Sequence, residues 1–154
     1  MKMQVQKVQN QNRQIKFEAI TKTKDADKLI KTIFPETDII QEALSSKTIK
    51  IIPKKGHLKI KYVPLSKLVQ ELETDYNKNF YIGVNQKRSD RLKFKILNQN
   101  DEFDKHSNIT TDFLVTNLTP RRLVRIITKM YHNFKTMYIH SSSMIKINDF
   151  FMND

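Results

Sequence analysis

The sequence predicts an α+β domain: a small antiparallel β-barrel or curved sheet, with a helical segment inserted after the first strand and an amphipathic helix at the C-terminal end. Three observations predict this class. Segments of alternating apolar and polar residues indicate strands, and apolar residues three or four positions apart indicate helices. Apart from the inserted helical segment, these segments follow one another in the order β-β-β-α-β-β. The length of 154 residues is that of one domain.

The N-terminal part of the chain contributes the first strand and the inserted helices. Residues 14–23 alternate apolar with polar side chains, which predicts a strand. Residues 25–46 carry apolar side chains at helical spacing, and Pro35 divides them into two helices because proline interrupts helical hydrogen bonding. Residues 1–12 are polar and show neither periodicity, so we expect a flexible tail there.

The middle of the chain supplies the other strands. Residues 47–53 and 57–63 predict a β-hairpin, since two strand-like segments flank a short Lys-Lys-Gly turn. The elements that follow are a helix at residues 66–75, strands at residues 79–85 and 91–98, and an acidic, polar loop at residues 98–111.

A long amphipathic helix is predicted after Thr119-Pro120, because threonine can cap a helix and proline suits its first position. Its apolar stripe consists of Leu123, Ile126, Ile127, Met130, Phe134, Met137 and Tyr138. A helix of about twenty residues is roughly 30 Å long, more than a small barrel can cover. We therefore predict that the later part of the stripe binds a protein partner, through Met130, Phe134, Met137 and Tyr138.

Composition excludes several classes of protein. The chain has no cysteine, which excludes disulfides, thiolate metal sites and cysteine nucleophiles, and two glycines, too few for a glycine-rich phosphate loop. It has no apolar run long enough to span a membrane and no secretory signal. We expect one basic domain over residues 13–140 and a C-terminal tail at residues 141–154. We also expect an intracellular protein, neither secreted nor membrane-bound, with a nuclear location favoured over an organellar one.

The charge is high and unevenly distributed. The formal net charge is +12, from 28 lysines and arginines against 16 acidic residues. The sequence has no acidic residue between Glu42 and Glu71, and none between Asp112 and Asp149. Segregated charge of this kind attracts a polyanion.

The strands place basic residues on one predicted face. If the strands are neighbours, the bases of the segments LKIKY and RLKFK form one positive surface, and Tyr81 lies beside Gly83 with its ring exposed. Bases around an exposed aromatic ring suit single-stranded DNA or RNA, which needs phosphate neutralisation and a stacking surface. The predicted nucleic-acid-binding residues are Lys59, Lys61, Tyr81, Arg88, Arg91, Lys93 and Lys95. The alternative is that outward lysines only keep the surface soluble.

The sequence indicates no catalytic or metal site. The four histidines are scattered without ligand spacing. Asp101, Asp104 and His106 can in principle hold a cation, but an acidic surface loop is the favoured interpretation. We expect neither enzyme activity nor a cofactor.

With the inserted helices set aside, the order of elements resembles that of an OB-fold, a five-stranded barrel that binds oligonucleotides. It is similar in particular to the small subunits of replication protein A and of telomere-capping trimers. This resemblance implies a non-enzymatic, nucleic-acid-associated accessory subunit of a larger complex, of the replication or telomere type, assembled with larger subunits through its C-terminal helix. Two alternatives stay open: a structural protein of a ribonucleoprotein such as an organellar ribosome, and a pure protein–protein assembly subunit whose lysine excess reflects codon bias.

Overall fold

The computed structural model describes residues 20–138, which form an α+β fold with four α-helices. The elements in chain order are β1 (Ile20–Lys22), α1 (Lys24–Ile33), α2 (Ile39–Ser45), β2 (Lys47–Lys54), β3 (His57–Pro64), α3 (Leu65–Tyr76), β4 (Lys78–Val84), β5 (Arg91–Asn98), β6 (Thr110–Leu114), a 3₁₀ turn (Val115–Asn117) and α4 (Pro120–Tyr138). The predicted tails at residues 1–12 and 141–154, and the first part of the predicted N-terminal strand, lie outside the described residues.

The main sheet has four strands in the order β1-β4-β5-β6. Strand β1 runs parallel to β4, and the other two pairs are antiparallel. Strand alternation places Phe80 and Ile82 of β4 and Leu92 and Phe94 of β5 on one face, where all four are buried in the main core. The helices pack against this face and close the core.

The predicted barrel is not formed by the described residues. Strands β2 and β3 pair with each other as a separate two-stranded sheet, and the OB-fold order is not confirmed. Both edges of β4 are already taken, one by β1 and one by β5, so β3 cannot pair with it. The predicted hairpin itself is correct, but it stands apart from the main sheet.

One strand was not expected from the sequence. Residues 110–114 form β6, which extends the sheet beyond β5, although part of this segment was predicted as loop. The segment begins with the polar residues Thr-Thr-Asp, so it lacks the alternation of apolar and polar residues that predicts a strand. Because β6 is the last strand of the sheet, it needs few apolar residues.

The helix ends follow from local capping. The hydroxyl of Thr23 accepts from the backbone N–H of Ala26 and begins α1, and the carboxylate of Asp38 does the same for α2. Pro35 lies between these two helices, as predicted. The hydroxyl of Thr119 accepts from the N–H of Arg122 at 3.1 Å and caps α4.

Candidate nucleic-acid interface

The predicted basic face is divided between two sheets. Lys59 and Lys61 lie on β3, which pairs with β2, whereas Arg91, Lys93 and Lys95 lie on β5 of the main sheet. The expectation that these five residues share neighbouring strands is therefore wrong. Alternation predicts which residues of one strand share a face, but it does not predict which strands pair.

Lys95 is a structural residue. Its side chain is buried, with 7% of its surface exposed, and its Nζ donates to the carbonyl oxygens of Phe103 and Lys105, each at 2.9 Å. The same Nζ lies 4.8 Å from the centre of the Phe103 ring. Burial lowers the pKa of Lys95, and the nearby charge of Lys93 lowers it further. The charge of Lys95 is thus satisfied inside the protein, and the prediction of an exposed phosphate ligand is wrong.

Tyr81 is also covered. It is 8% exposed, so the prediction of an exposed ring on this strand is wrong. The neighbouring Gly83 is buried under Phe103, because a Cβ at position 83 would come within 2.3 Å of the ring. Phe103 belongs to the loop of residues 99–109, which was predicted as a polar surface loop. This loop covers the face of β4 and β5 on which a base was expected to stack.

The three other predicted bases of this region lie near acidic groups or are partly covered. Arg88 is exposed and forms an ion pair with Asp90 at 3.5 Å. Lys93 is half-buried and lies directly across the ladder from Asp112 of β6. Arg91 is half-buried at the start of β5. This part of the predicted site offers a polyanion little uncompensated charge.

The β2–β3 hairpin carries uncompensated charge. Its one ion pair to the described chain joins Lys50 Nζ to Glu71 at 2.7 Å, at the base of the hairpin. Lys47, at the start of β2, is exposed as well. Four further lysines, at the turn and on β3, are exposed and have no acidic partner within residues 20–138. We call them the hairpin lysines: Lys54, Lys55, Lys59 and Lys61.

The hairpin also exposes an aromatic ring that the alternation in β3 does not predict. Tyr62 is 70% exposed, and its neighbour on the same face of β3, Ile60, is exposed as well. Both alternate with lysines along β3, a pattern that is typical of an apolar face covered by the core. The hairpin stands apart from the main sheet, so most of that face has no layer to cover it. The periodicity of β3 predicts that Tyr62 and Ile60 share a face, but it does not predict whether another layer covers that face.

The hairpin is anchored at its base to two helices. The hydroxyls of Thr48 on β2 and Thr128 on α4 are 2.6 Å apart and both buried. The carboxylate of Glu71 on α3 accepts from Lys50, from the hydroxyl of Tyr131 at 2.8 Å and from Lys135 at 3.1 Å. Burial alone would raise the pKa of Glu71, but these three hydrogen bonds outweigh it and lower the pKa.

A second group of bases lies on the outward side of α4. It consists of Arg121, Arg122, Arg125 and Lys129, of which the three arginines are exposed. Some of these bases border a groove between α4 and β6, where the guanidinium of Arg122 lies 6.0 Å from the ring centre of Phe113. The absence of acidic residues from this part of the sequence is the signal that indicates the group.

The residues predicted to bind a partner divide into two pairs. Met130 and Phe134 are buried in the main core, so their assignment to an exposed surface is wrong. Phe134 packs edge-on against Tyr76, with ring centres 5.2 Å apart, because α4 lies across α3. Met137 and Tyr138, one turn later, are exposed.

The described residues contain no group of three or more histidines and carboxylates placed to hold a metal ion. Asp101, Asp104 and His106 therefore do not form such a group. None of the helices within residues 20–138 combines the length and the apolar character that a membrane span requires. Comparison of the chain with protein-family models, with curated proteins and with solved structures finds no match.

Proposed function

We propose that this protein is a non-enzymatic, nucleic-acid-associated subunit and that its hairpin lysines bind the phosphates of a single strand. The observation that carries the proposal is the uncompensated charge of the hairpin. Four exposed lysines, two at the turn and two along β3, have no ion pair to an acidic residue in the described chain. Lysines in such a position release condensed counterions when they bind phosphates, which is the main source of affinity for nucleic acid.

The shape of the hairpin supports the same proposal. Each strand has eight residues and is therefore about 26 Å long, and only the base is held by α3 and α4. Lys59 and Lys61 point to the same side of β3 because they are two residues apart. The exposed lysines of the ribbon, from its turn to the middle of β3, are therefore open to a nucleic-acid backbone.

Tyr62 supports a single-stranded partner. Its exposed ring can stack on an unpaired base, which takes over the role first assigned to Tyr81. Assembly with larger subunits is part of the proposal, and of the four residues predicted for it, Met137 and Tyr138 are the two with exposed side chains.

The test is the salt dependence of binding to a fluorescently labelled oligo-dT and oligo-U, measured by anisotropy on the full chain. We expect Lys59→Gln/Lys61→Gln to weaken binding and to lower the slope of log affinity against log salt by about 0.7 per lost contact. The matched control is Lys24→Gln/Lys28→Gln on α1, which removes the same charge from exposed positions on another element. Equal effects of the two double variants, or no effect of either, would refute the assignment to the hairpin.

A further inference from the structure

The groove between β6 and α4 has a floor and a rim of different chemistry. Its volume is about 390 Å³. The apolar floor is formed by Phe113 of β6 and Ile126 of α4, which both pack on the main core. The rim is basic and is formed by Arg122, Arg125 and Lys129.

Among residues 20–138, no carboxylate lines the groove. The nearest carboxylate in the sequence, that of Asp112, belongs to the neighbouring residue of β6, and strand alternation places it on the opposite face of the sheet from Phe113. Arg122 and Lys129, for which the described residues supply no carboxylate in the lining, favour an anionic ligand.

The groove also presents an aromatic ring at an open edge. Phe113 is half-buried on β6, the last strand of the sheet, and no further strand of the described chain covers it. The guanidinium of Arg122 lies 6.0 Å from the ring centre. A phenyl ring beside a guanidinium is a combination on which unpaired bases stack, while neighbouring cations hold the phosphates.

We infer that this groove binds one nucleotide of a single strand, with the base against Phe113 and the phosphates on Arg122, Arg125 and Lys129. The volume of the groove lies within the range of about 300–1,000 Å³ for small-molecule sites and suits a single nucleotide. A base inside a duplex is stacked and paired and cannot reach the ring, so the site selects single strands.

The groove and the hairpin can contact the same strand. Helix α4 separates them: Thr128 contacts Thr48 of the hairpin on one flank, and Ile126 and Lys129 border the groove on the other. The width of a helix with its side chains is about 10 Å, a distance that a strand of a few nucleotides crosses. Arg121 and Arg125 lie along the exposed side of the helix between the two sites.

This inference rests on the proposed function, and its test uses two probes on the full chain: a labelled single-stranded oligo-dT and a duplex of equal length. We expect Phe113→Leu, which keeps an apolar side chain but removes the ring, to weaken single-strand binding about tenfold and to leave duplex binding unchanged. Arg122→Gln/Lys129→Gln changes an exposed and a half-buried side chain outside the core and serves if Phe113→Leu does not fold. It should lower the salt slope by about 1.4, while Lys24→Gln/Lys28→Gln leaves the slope at the wild-type value.

The outcomes separate the two sites. If Phe113→Leu and Arg122→Gln/Lys129→Gln both bind with wild-type affinity while Lys59→Gln/Lys61→Gln binds more weakly, the inferred groove site is overturned. The hairpin proposal then stands. The reverse pattern supports the groove and refutes the hairpin, and no binding by the wild-type chain overturns both. If poly-glutamate of the same length competes as well as oligo-dT and Phe113→Leu binds both like the wild type, the groove is a general anion site and the inference is overturned.

Discussion

The ring of Phe103 lies against Gly83, in the space that a side chain at position 83 would need. A Cβ there would come within 2.3 Å of Phe103 Cζ. On the adjacent strand, Lys95 Nζ donates to the carbonyl oxygen of Phe103 at 2.9 Å. These two contacts hold the loop of residues 99–109 over the sheet, on the face opposite the main core. Because this loop covers that face of β4 and β5, Lys95 is buried and does not reach solvent.

The first prediction concerns Gly83→Val. Valine suits a strand, so any loss of stability must come from the clash with Phe103. We expect a loss of about 1–3 kcal/mol in the free energy of unfolding, measured by chemical denaturation, and faster proteolysis within residues 99–109. In a double-mutant cycle, Phe103→Ala should remove most of the effect of Gly83→Val. Additive effects of the two changes would contradict a direct contact.

The second prediction separates structural from binding lysines. Lys95→Met leaves the carbonyls of Phe103 and Lys105 without their buried donor, so we expect a loss of about 1–3 kcal/mol of stability and an unchanged salt slope for nucleic-acid binding. Lys61→Met, at an exposed position, should do the opposite: little change in the thermal melt and a shallower slope. A shallower slope for Lys95→Met at wild-type stability would restore the original sequence prediction.

The local elements could be predicted because local patterns specify them. The alternation in Arg91–Asn98 predicts β5 at its observed bounds, the hairpin is predicted to within one residue at each strand's end, and Thr119-Pro120 marks the start of α4. The pairing of strands could not be predicted in this way. Alternation is the same for a strand in a barrel, in a mixed sheet or in a free hairpin, and tertiary packing chooses among them.

The candidate site could be predicted only in part, for a related reason. Lys59 and Lys61 are exposed as expected, since the hairpin that carries them is a local structure. Lys95 and Tyr81 are buried because a distant loop folds over them, and no feature of β4 or β5 predicts that loop's path. The groove at Phe113 could not be predicted, because β6 forms one of its sides and the polar Thr-Thr-Asp start of β6 gives no strand pattern.

The third prediction compares two neighbours on α4. Phe134 is 6% exposed and packs on Tyr76, whereas Met137 is 47% exposed. We expect Phe134→Ala to cost about 3–5 kcal/mol of stability in a denaturant titration, because it leaves a cavity in the core, and Met137→Ala to cost less than about 0.5 kcal/mol. Equal, small losses would mean that Phe134 is available to a partner after all, as the amphipathic pattern alone suggests.

The fourth prediction is a pH dependence that arises from His132 on α4. This ring is buried, and its Nε2 donates to the carbonyl oxygen of Ile49 at 3.4 Å, at the base of the hairpin. Burial lowers the pKa of His132 from its ordinary value of 6.5 to about 4, against the smaller opposing effect of the Ile49 carbonyl. Below pH 6.5 the unfolded chain therefore takes up a proton that the folded chain does not, so stability falls as the pH falls from about 6.5 toward 4.

The measurement is denaturant unfolding of the full chain at pH 7 and pH 5, an interval above the range in which most carboxylates titrate. We expect His132 to contribute a loss of about 2 kcal/mol between these two pH values. His132→Gln keeps an N–H donor for the Ile49 carbonyl but cannot ionise, so its stability should change about 2 kcal/mol less over the same interval. Parallel pH profiles for the wild type and the variant would show that His132 is solvated, and that the base of the hairpin is open to water.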